Sequence, residues 1–101
     1  MAGFDLHRLG KRDGAGLVVD VQSDLIDVLD TRVVVPLLPA GRSPKRADRL
    51  NPVFLLPEGE VALFPQFIAT LPRAALGAPV GSLRHERDRI RDALDMLFLG
   101  F

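Results

Sequence analysis

The sequence predicts a mainly β fold, a small antiparallel sheet or barrel, followed by one amphipathic C-terminal α-helix. Three observations carry this. Short runs of β-branched and aliphatic residues, punctuated by glycine and proline, fill the first two-thirds of the chain. After Gly81 the apolar residues change to helical spacing. Finally, 101 residues with 48% hydrophobic content support one modest core, so a single domain over residues 1–101 is expected. Neither an internal repeat nor a dividing linker interrupts it.

Each element follows from local pattern. Phe4 and Leu6 alternate with Asp5 and His7, the mark of a short half-buried strand. Residues 11–16 form a charged, glycine-bearing turn, and residues 17–21 (LVVDV) a β-branched strand. Between 24 and 31, Asp alternates with Leu25, Ile26, Val28 and Leu29, compatible with a loop or a short strand. Residues 32–38 are the clearest strand; Pro36 lacks an N–H and is expected at an edge, a bulge or a strand end. Residues 39–49 read as an exposed loop with one helical turn at most. Residues 52–56 and 60–64 make a hairpin about Gly59, and 67–76, broken by Pro72, gives short extended pieces. Ser82 is the expected helix N-cap. Leu83, Ile90, Leu94, Leu97 and Phe98 then share a stripe with Ala93 beside it. Opposite lie charged residues, with Arg84–Asp88 and Arg91–Asp95 as expected i,i+4 pairs worth about 0.3–0.5 kcal/mol each. Gly100 is the stop signal.

Composition excludes several function classes. Thirteen Lys+Arg balance thirteen Asp+Glu, which argues against a general binder of nucleic acid or membrane surfaces. Low net charge favours self-association or a protein partner. The absence of cysteine removes disulfides, thiolate metal sites and thiol chemistry, and points to the cytoplasm. The first residues lack the pattern of a signal peptide, and the apolar run at 33–38 is far short of a membrane span.

Few residues offer chemistry. Asp20, Asp24, Asp27 and Asp30 could hold a hard cation, although Asp at strand ends and turns is the plainer reading. His7 and His85, in an Arg-rich background, could serve a metal-free ribonuclease as general acid and phosphate binder. His85 falls in the first turn of the expected helix, where the dipole disfavours its protonated form. Packing or surface imidazoles are the simpler assignment for both. The basic segment Arg42, Lys45, Arg46 and Arg49 could meet an acidic peptide or a phosphate backbone, but lacks interleaved aromatics for base stacking. No glycine-rich phosphate loop or nucleophile elbow is present. Hence no catalytic residue, metal or cofactor is expected. The C-terminus differs in kind: Leu99 and Phe101 fall off the core stripe. They either form a docking surface or fold back onto the sheet as the last turn unwinds.

Two segments, residues 17–27 (LVVDVQSDLID) with 32–37 (RVVVPL), and residues 83–101, resemble the CcdB toxin family of type II toxin–antitoxin modules. Order, spacing and length agree over nearly the whole chain, most weakly between Gly41 and Ala78. The resemblance implies an SH3-like small barrel of the CcdB/MazF-Kid type, assembled as a symmetric homodimer. It further implies a cytoplasmic poison that enters the cleft of the DNA gyrase A subunits and traps cleaved DNA, until a CcdA-like antitoxin extracts it. The implied gyrase-facing residues are Leu99, Gly100 and Phe101, flanked by Phe98, Asp95, Leu25 and Ile26. An acidic antitoxin segment would suit Arg42, Lys45, Arg46 and Arg49, an inference from charge alone. Family poisons carry Trp where this chain has Leu99, and an amide where it has Asp95. Leucine lacks the π face behind a cation–π contact of about 0.5–2 kcal/mol, lost twice in a dimer. A homologue that binds antitoxin but poisons gyrase weakly, and a MazF-like endoribonuclease, are the alternatives.

Overall fold

A computed structural model describes residues 3–10, 16–42 and 45–101. The predicted turn at 11–15 lies outside the described residues, as do Ser43 and Pro44. Among the described residues, seven strands occur in the order β1 (Asp5–Arg8), β2 (Leu17–Asp20), β3 (Thr31–Pro39), β4 (Val53–Leu56), β5 (Gly59–Leu63), β6 (Ala69–Pro72) and β7 (Gly81–Ser82). One helix, α1 (Arg87–Leu99), follows. All pairings are antiparallel. The strands run β4-β5-β3-β2-β1-β7 across the sheet, with β6 added on β3; this half-barrel with its C-terminal helix is the expected mainly β fold.

The nine-residue β3 organises the sheet. Its Val34–Pro36 stretch pairs with β2, its last three residues with β5, and its first four with β6. Pro36 therefore sits neither at an edge nor at a strand end. It marks the handover from β2 to β5, where its missing N–H costs least, and its carbonyl accepts from Phe64 N–H at 3.0 Å.

Both faces of the central strands are covered, so β2 is buried along its whole length. On one face Leu6, Val19, Val35, Leu37, Phe54 and Leu63 meet Leu83, Ile90 and Ala93 from the helical segment. The pleat turns Val18 and Val34 to the other face, where Leu76 covers them. His7 is enclosed there too; its Nδ1 lies 2.9 Å from the Gly77 carbonyl, and its Nε2 meets no partner. Gly16 closes the β1–β2 connection at φ +78°, and a Cβ there would overlap the Leu9 carbonyl oxygen.

The helix begins later than the pattern suggested. Ser82 is not the N-cap: its Oγ accepts from Arg84 N–H at 3.1 Å, but Leu83 caps a 3₁₀ turn at Arg84–Glu86 and α1 starts after Glu86, neither with a side-chain cap. The expected Arg84–Asp88 and Arg91–Asp95 pairs are replaced. Arg84 reaches Asp24 at 3.2 Å, Arg89 pairs with Glu86 at 3.1 Å, and Arg91 stands 4.0 Å from Asp88. Starting the α-helix at residue 87 leaves Arg84 outside the α-helical register, where it reaches Asp24 instead of Asp88. Phe98 also departs from expectation: Ile90 and Ala93 are buried and Leu94 is half-buried, whereas Phe98, nearer the end of α1, is exposed to solvent.

Candidate functional site

The C-terminal end of α1 is an exposed apolar group. Gly100 adopts the left-handed conformation (φ +80°), and its N–H donates to the Asp95 and Met96 carbonyls at 3.2 and 3.1 Å. This closes the helix with glycine at C′. The last turn therefore stays wound, and Leu99 and Phe101 do not fold back onto the sheet. Phe98 is 64% exposed, Leu99 60% and Phe101 73%, beside the half-buried Asp95. Water contact with this much apolar surface is unfavourable at about 25 cal/mol per Å², the kind of surface that a partner covers.

A second apolar group sits on residues 25–29. A 3₁₀ turn at Asp24–Ile26, with Ser23 Oγ accepting from Leu25 N–H at 3.1 Å, projects Leu25 (94% exposed) and leads to Val28 (89%). Ile26 and Leu29 are about half exposed. Asp24 ties this turn to Arg84, just before α1. Thirteen helical residues advance about 18 Å from first Cα to last, so Leu25 and Ile26 lie at the opposite end of α1 from Leu99–Phe101. The expected site residues thus fall in two patches of this chain.

An arginine–aspartate network holds the second patch, and no local sequence pattern foretold it. Asp20 and Arg32 are both fully buried; Arg32 Nε donates to Asp20 Oδ2 at 2.8 Å. Nη2 lies 2.6 Å from the same oxygen but off the hydrogen-bond direction. Gln22 N–H donates to Asp20 Oδ1 at 3.0 Å, and Arg32 Nη1 donates to Asp27 Oδ1 at 2.7 Å. Arg73, from the turn after β6, donates to the Asp27 and Leu29 carbonyls and meets Asp27 Oδ1 at 3.3 Å. The carboxylate of Asp24 accepts from Gly3 N–H at 2.7 Å. That backbone bond, then Arg84, lowers its pKa below the ordinary carboxylate value. Asp20, Asp24 and Asp27 are therefore occupied by arginines and backbone donors rather than gathered for a cation. No group of three or more His, Cys, Asp or Glu among the described residues is placed to hold a metal ion.

The basic segment is built around Asn51. Its Oδ1 accepts from Ala47 N–H at 3.0 Å, and its Nδ2 donates to Leu63 O at 3.0 Å and Gln66 Oε1 at 2.9 Å. Lys45, Arg46 and Arg49 are exposed, and Arg49 pairs with Asp92 of α1 at 3.2 Å. Arg42 ends a 3₁₀ turn at Ala40–Arg42. His85 is exposed and lines a cavity with Leu6 and Arg8, whereas His7 is buried on the other face of β1 against the Gly77 carbonyl, so the two histidines form no acid–base pair. No helix among the described residues is long and apolar enough to cross a membrane.

Comparison with known proteins agrees with this architecture. An endoribonuclease from Mycobacterial species, solved in complex with its cognate antitoxin, superposes with a TM-score of 0.74 at 20% identity, covering 100% of this chain and 98% of its own. The Mycobacterium tuberculosis toxin MazF-mt6 gives 0.72 at 17% identity, covering 93% and 95%. A further Mycobacterial endoribonuclease gives 0.69 at 20% identity, covering 95% and 88%. At these identities the likeness establishes the fold. A sequence profile described as CcdB protein matches residues 3–100, and with nearly the whole chain matched, this protein belongs to the CcdB family.

Proposed function

We propose that this chain is the toxin of a type II toxin–antitoxin module and acts by binding, without chemistry of its own. As a cytoplasmic homodimer it docks on the A subunit of DNA gyrase and traps the gyrase–DNA cleavage complex, until a CcdA-like antitoxin neutralises it. The observation that carries this reading is the exposed Phe98, Leu99 and Phe101 on a helix end that is firmly capped rather than frayed. Rigid apolar groups lose little entropy when a partner covers them, which makes them good anchors. Leu99, Gly100 and Phe101 form the centre of the contact, with Asp95 and Phe98 at its border. Leu25 and Ile26, at the other end of α1, join it when the two-fold partner's turn lies beside the C-terminus.

An acidic antitoxin segment suits Lys45, Arg46 and Arg49, with Arg42 at the segment's start, and engages Arg49 by displacing Asp92. Induced expression in a sensitive bacterium, scored for growth arrest and accumulated gyrase–DNA cleavage complexes, tests the reading. Normal growth together with no binding to the cognate gyrase A fragment would overturn it. Leu99 in place of Trp favours weak gyrase poisoning with antitoxin binding retained, and titration against gyrase A separates strong from weak.

A second reading, RNA cleavage of the MazF type, draws on the fold shared with the endoribonucleases above. Incubation with single-stranded RNA at high protein concentration decides it, since absence of cleavage removes this alternative.

A further inference from the structure

The half-barrel leaves a seam where its two ends, β4 and β7, approach without pairing. A cavity of about 270 Å³ opens there. Its floor is core: Leu6, Leu17 and Leu56 are all buried. Its walls come from Leu55 on β4 and Gly81 on β7. Arg8 and Glu58 stand at the mouth 3.9 Å apart and offset each other, and His85 lines the cavity as well. Small-molecule sites usually run about 300–1,000 Å³, so this cavity is sized for one bulky side chain rather than a cofactor.

The main chain beside the cavity is open as well. Leu63 N–H donates to Pro52 O at 3.0 Å across β4 and β5, so alternation turns the N–H and C=O groups of Val53 and Leu55 away from β5. Arg89 Nη2 satisfies Val53 O at 2.9 Å while its guanidinium stacks 4.6 Å from the Phe54 ring centroid. That covers one end of the edge. At Leu55, whose side chain is 81% exposed, nothing among the described residues meets the outward groups. Proteins usually blunt such an edge, because it is a template for another strand.

We propose that this seam is a peptide-docking site. It takes an extended segment of a partner protein, hydrogen-bonded through its main chain to Leu55, that inserts one large aliphatic or aromatic side chain over Leu6, Leu17 and Leu56. Strand addition at an open edge beside a side-chain pocket is an established recognition geometry. The site lies near the start of α1, away from the exposed C-terminal end.

The probe is a capped pentapeptide of alternating threonine and leucine, titrated into the ¹⁵N-labelled protein. Shift changes centred on the amides of Leu55, Gly81 and Ser82, with slowed exchange at Leu55, are expected. Leu55→Pro removes the outward N–H and trims the cavity wall while keeping the β4–β5 ladder, and it should weaken the peptide about fivefold to tenfold. Thr70→Ala, at an exposed position of β6 outside the cavity lining, leaves the seam intact and should bind within about twofold. Should Leu55→Pro fail to fold, Gly81→Ala serves: its Cβ would stand 3.3 Å from Leu6 Cδ1, pressing that side chain into the cavity and weakening the peptide similarly. No shift at millimolar peptide, or equal binding by the weakened variants, overturns the proposal. Shifts at the same amides that appear on concentrating the protein without peptide assign the seam to a second copy and overturn it too.

Discussion

Replacing Asp20 with asparagine tests the ion pair beneath residues 24–30. Both partners are fully buried, and the Asp20 carboxylate faces Arg32 Nε at 2.8 Å and Nη2 at 2.6 Å. Loss of that charge leaves the Arg32 guanidinium enclosed, with Asp27 as its remaining anion at 2.7 Å. Breaking one side of a buried pair costs about 3–5 kcal/mol. Because Asp27 stays in place, the lower end, about 3 kcal/mol, is expected. A domain of this size has only about 5–15 kcal/mol in all and loses about 4–8 °C per kcal/mol, so its midpoint should fall by roughly 12–24 °C. Thermal and urea unfolding followed by circular dichroism measure this. The double variant Asp20→Leu with Arg32→Met removes both charges and should be more stable than Asp20→Asn by about 2 kcal/mol, since apolar replacement of a whole buried pair is often neutral. A loss below about 1 kcal/mol for Asp20→Asn, or a double variant as unstable as the sum of its single changes, would refute the reasoning.

Three further outcomes are expected. Leu99→Trp should tighten binding to gyrase A by about 1–4 kcal/mol across a dimer, read by titration calorimetry; unchanged affinity contradicts the proposed contact. Gly100→Ala forces a Cβ into the left-handed region and should cost about 1–2 kcal/mol at the helix end, visible as faster amide exchange at residues 96–99 with the sheet unaffected. Asp24 has a folded pKa below its unfolded one, so its stabilisation is fully present above the unfolded value and is lost as pH falls through the folded one. Acid titration should therefore release Gly3 N–H, seen by amide shift and exchange, and Asp24→Asn should abolish that pH dependence.

Local pattern revealed those parts of the fold that local chemistry decides. The hairpin about Gly59, the long strand through Val33–Val35 and the glycine stop at Gly100 each depend on residues close in sequence. What stayed hidden depends on distant contacts. Asp20, Asp24 and Asp27 read most plainly as strand-end and turn residues, and their ion pairs stayed hidden because the partners Arg32, Arg73 and Arg84 lie up to sixty positions away. Pro36 read as a strand boundary because a strand can exchange partners in its middle, which spacing does not encode. The helical stripe included Phe98 because periodicity records direction but not burial. At the candidate site, the exposed Leu99 and Phe101 were legible as residues off the stripe, whereas the separation of Leu25 and Ile26 from them was not. That separation follows from Asp24 reaching across to Arg84.

The partner exchange along β3 also sets an order of assembly. β2 and β3 are near in sequence and can zip as a hairpin, but the two ends of β3 wait for β5 and β6, at residues 59–63 and 69–72. Until those arrive, residues 37–38 and 31–33 have an open edge on a strongly apolar strand. Non-local pairing of this kind slows folding, and an unpaired apolar edge favours aggregation meanwhile. A chain halted before residue 59 is therefore expected to be insoluble rather than partly folded. Refolding should be rate-limited by the closure of β5 and β6 on β3, not by the formation of α1.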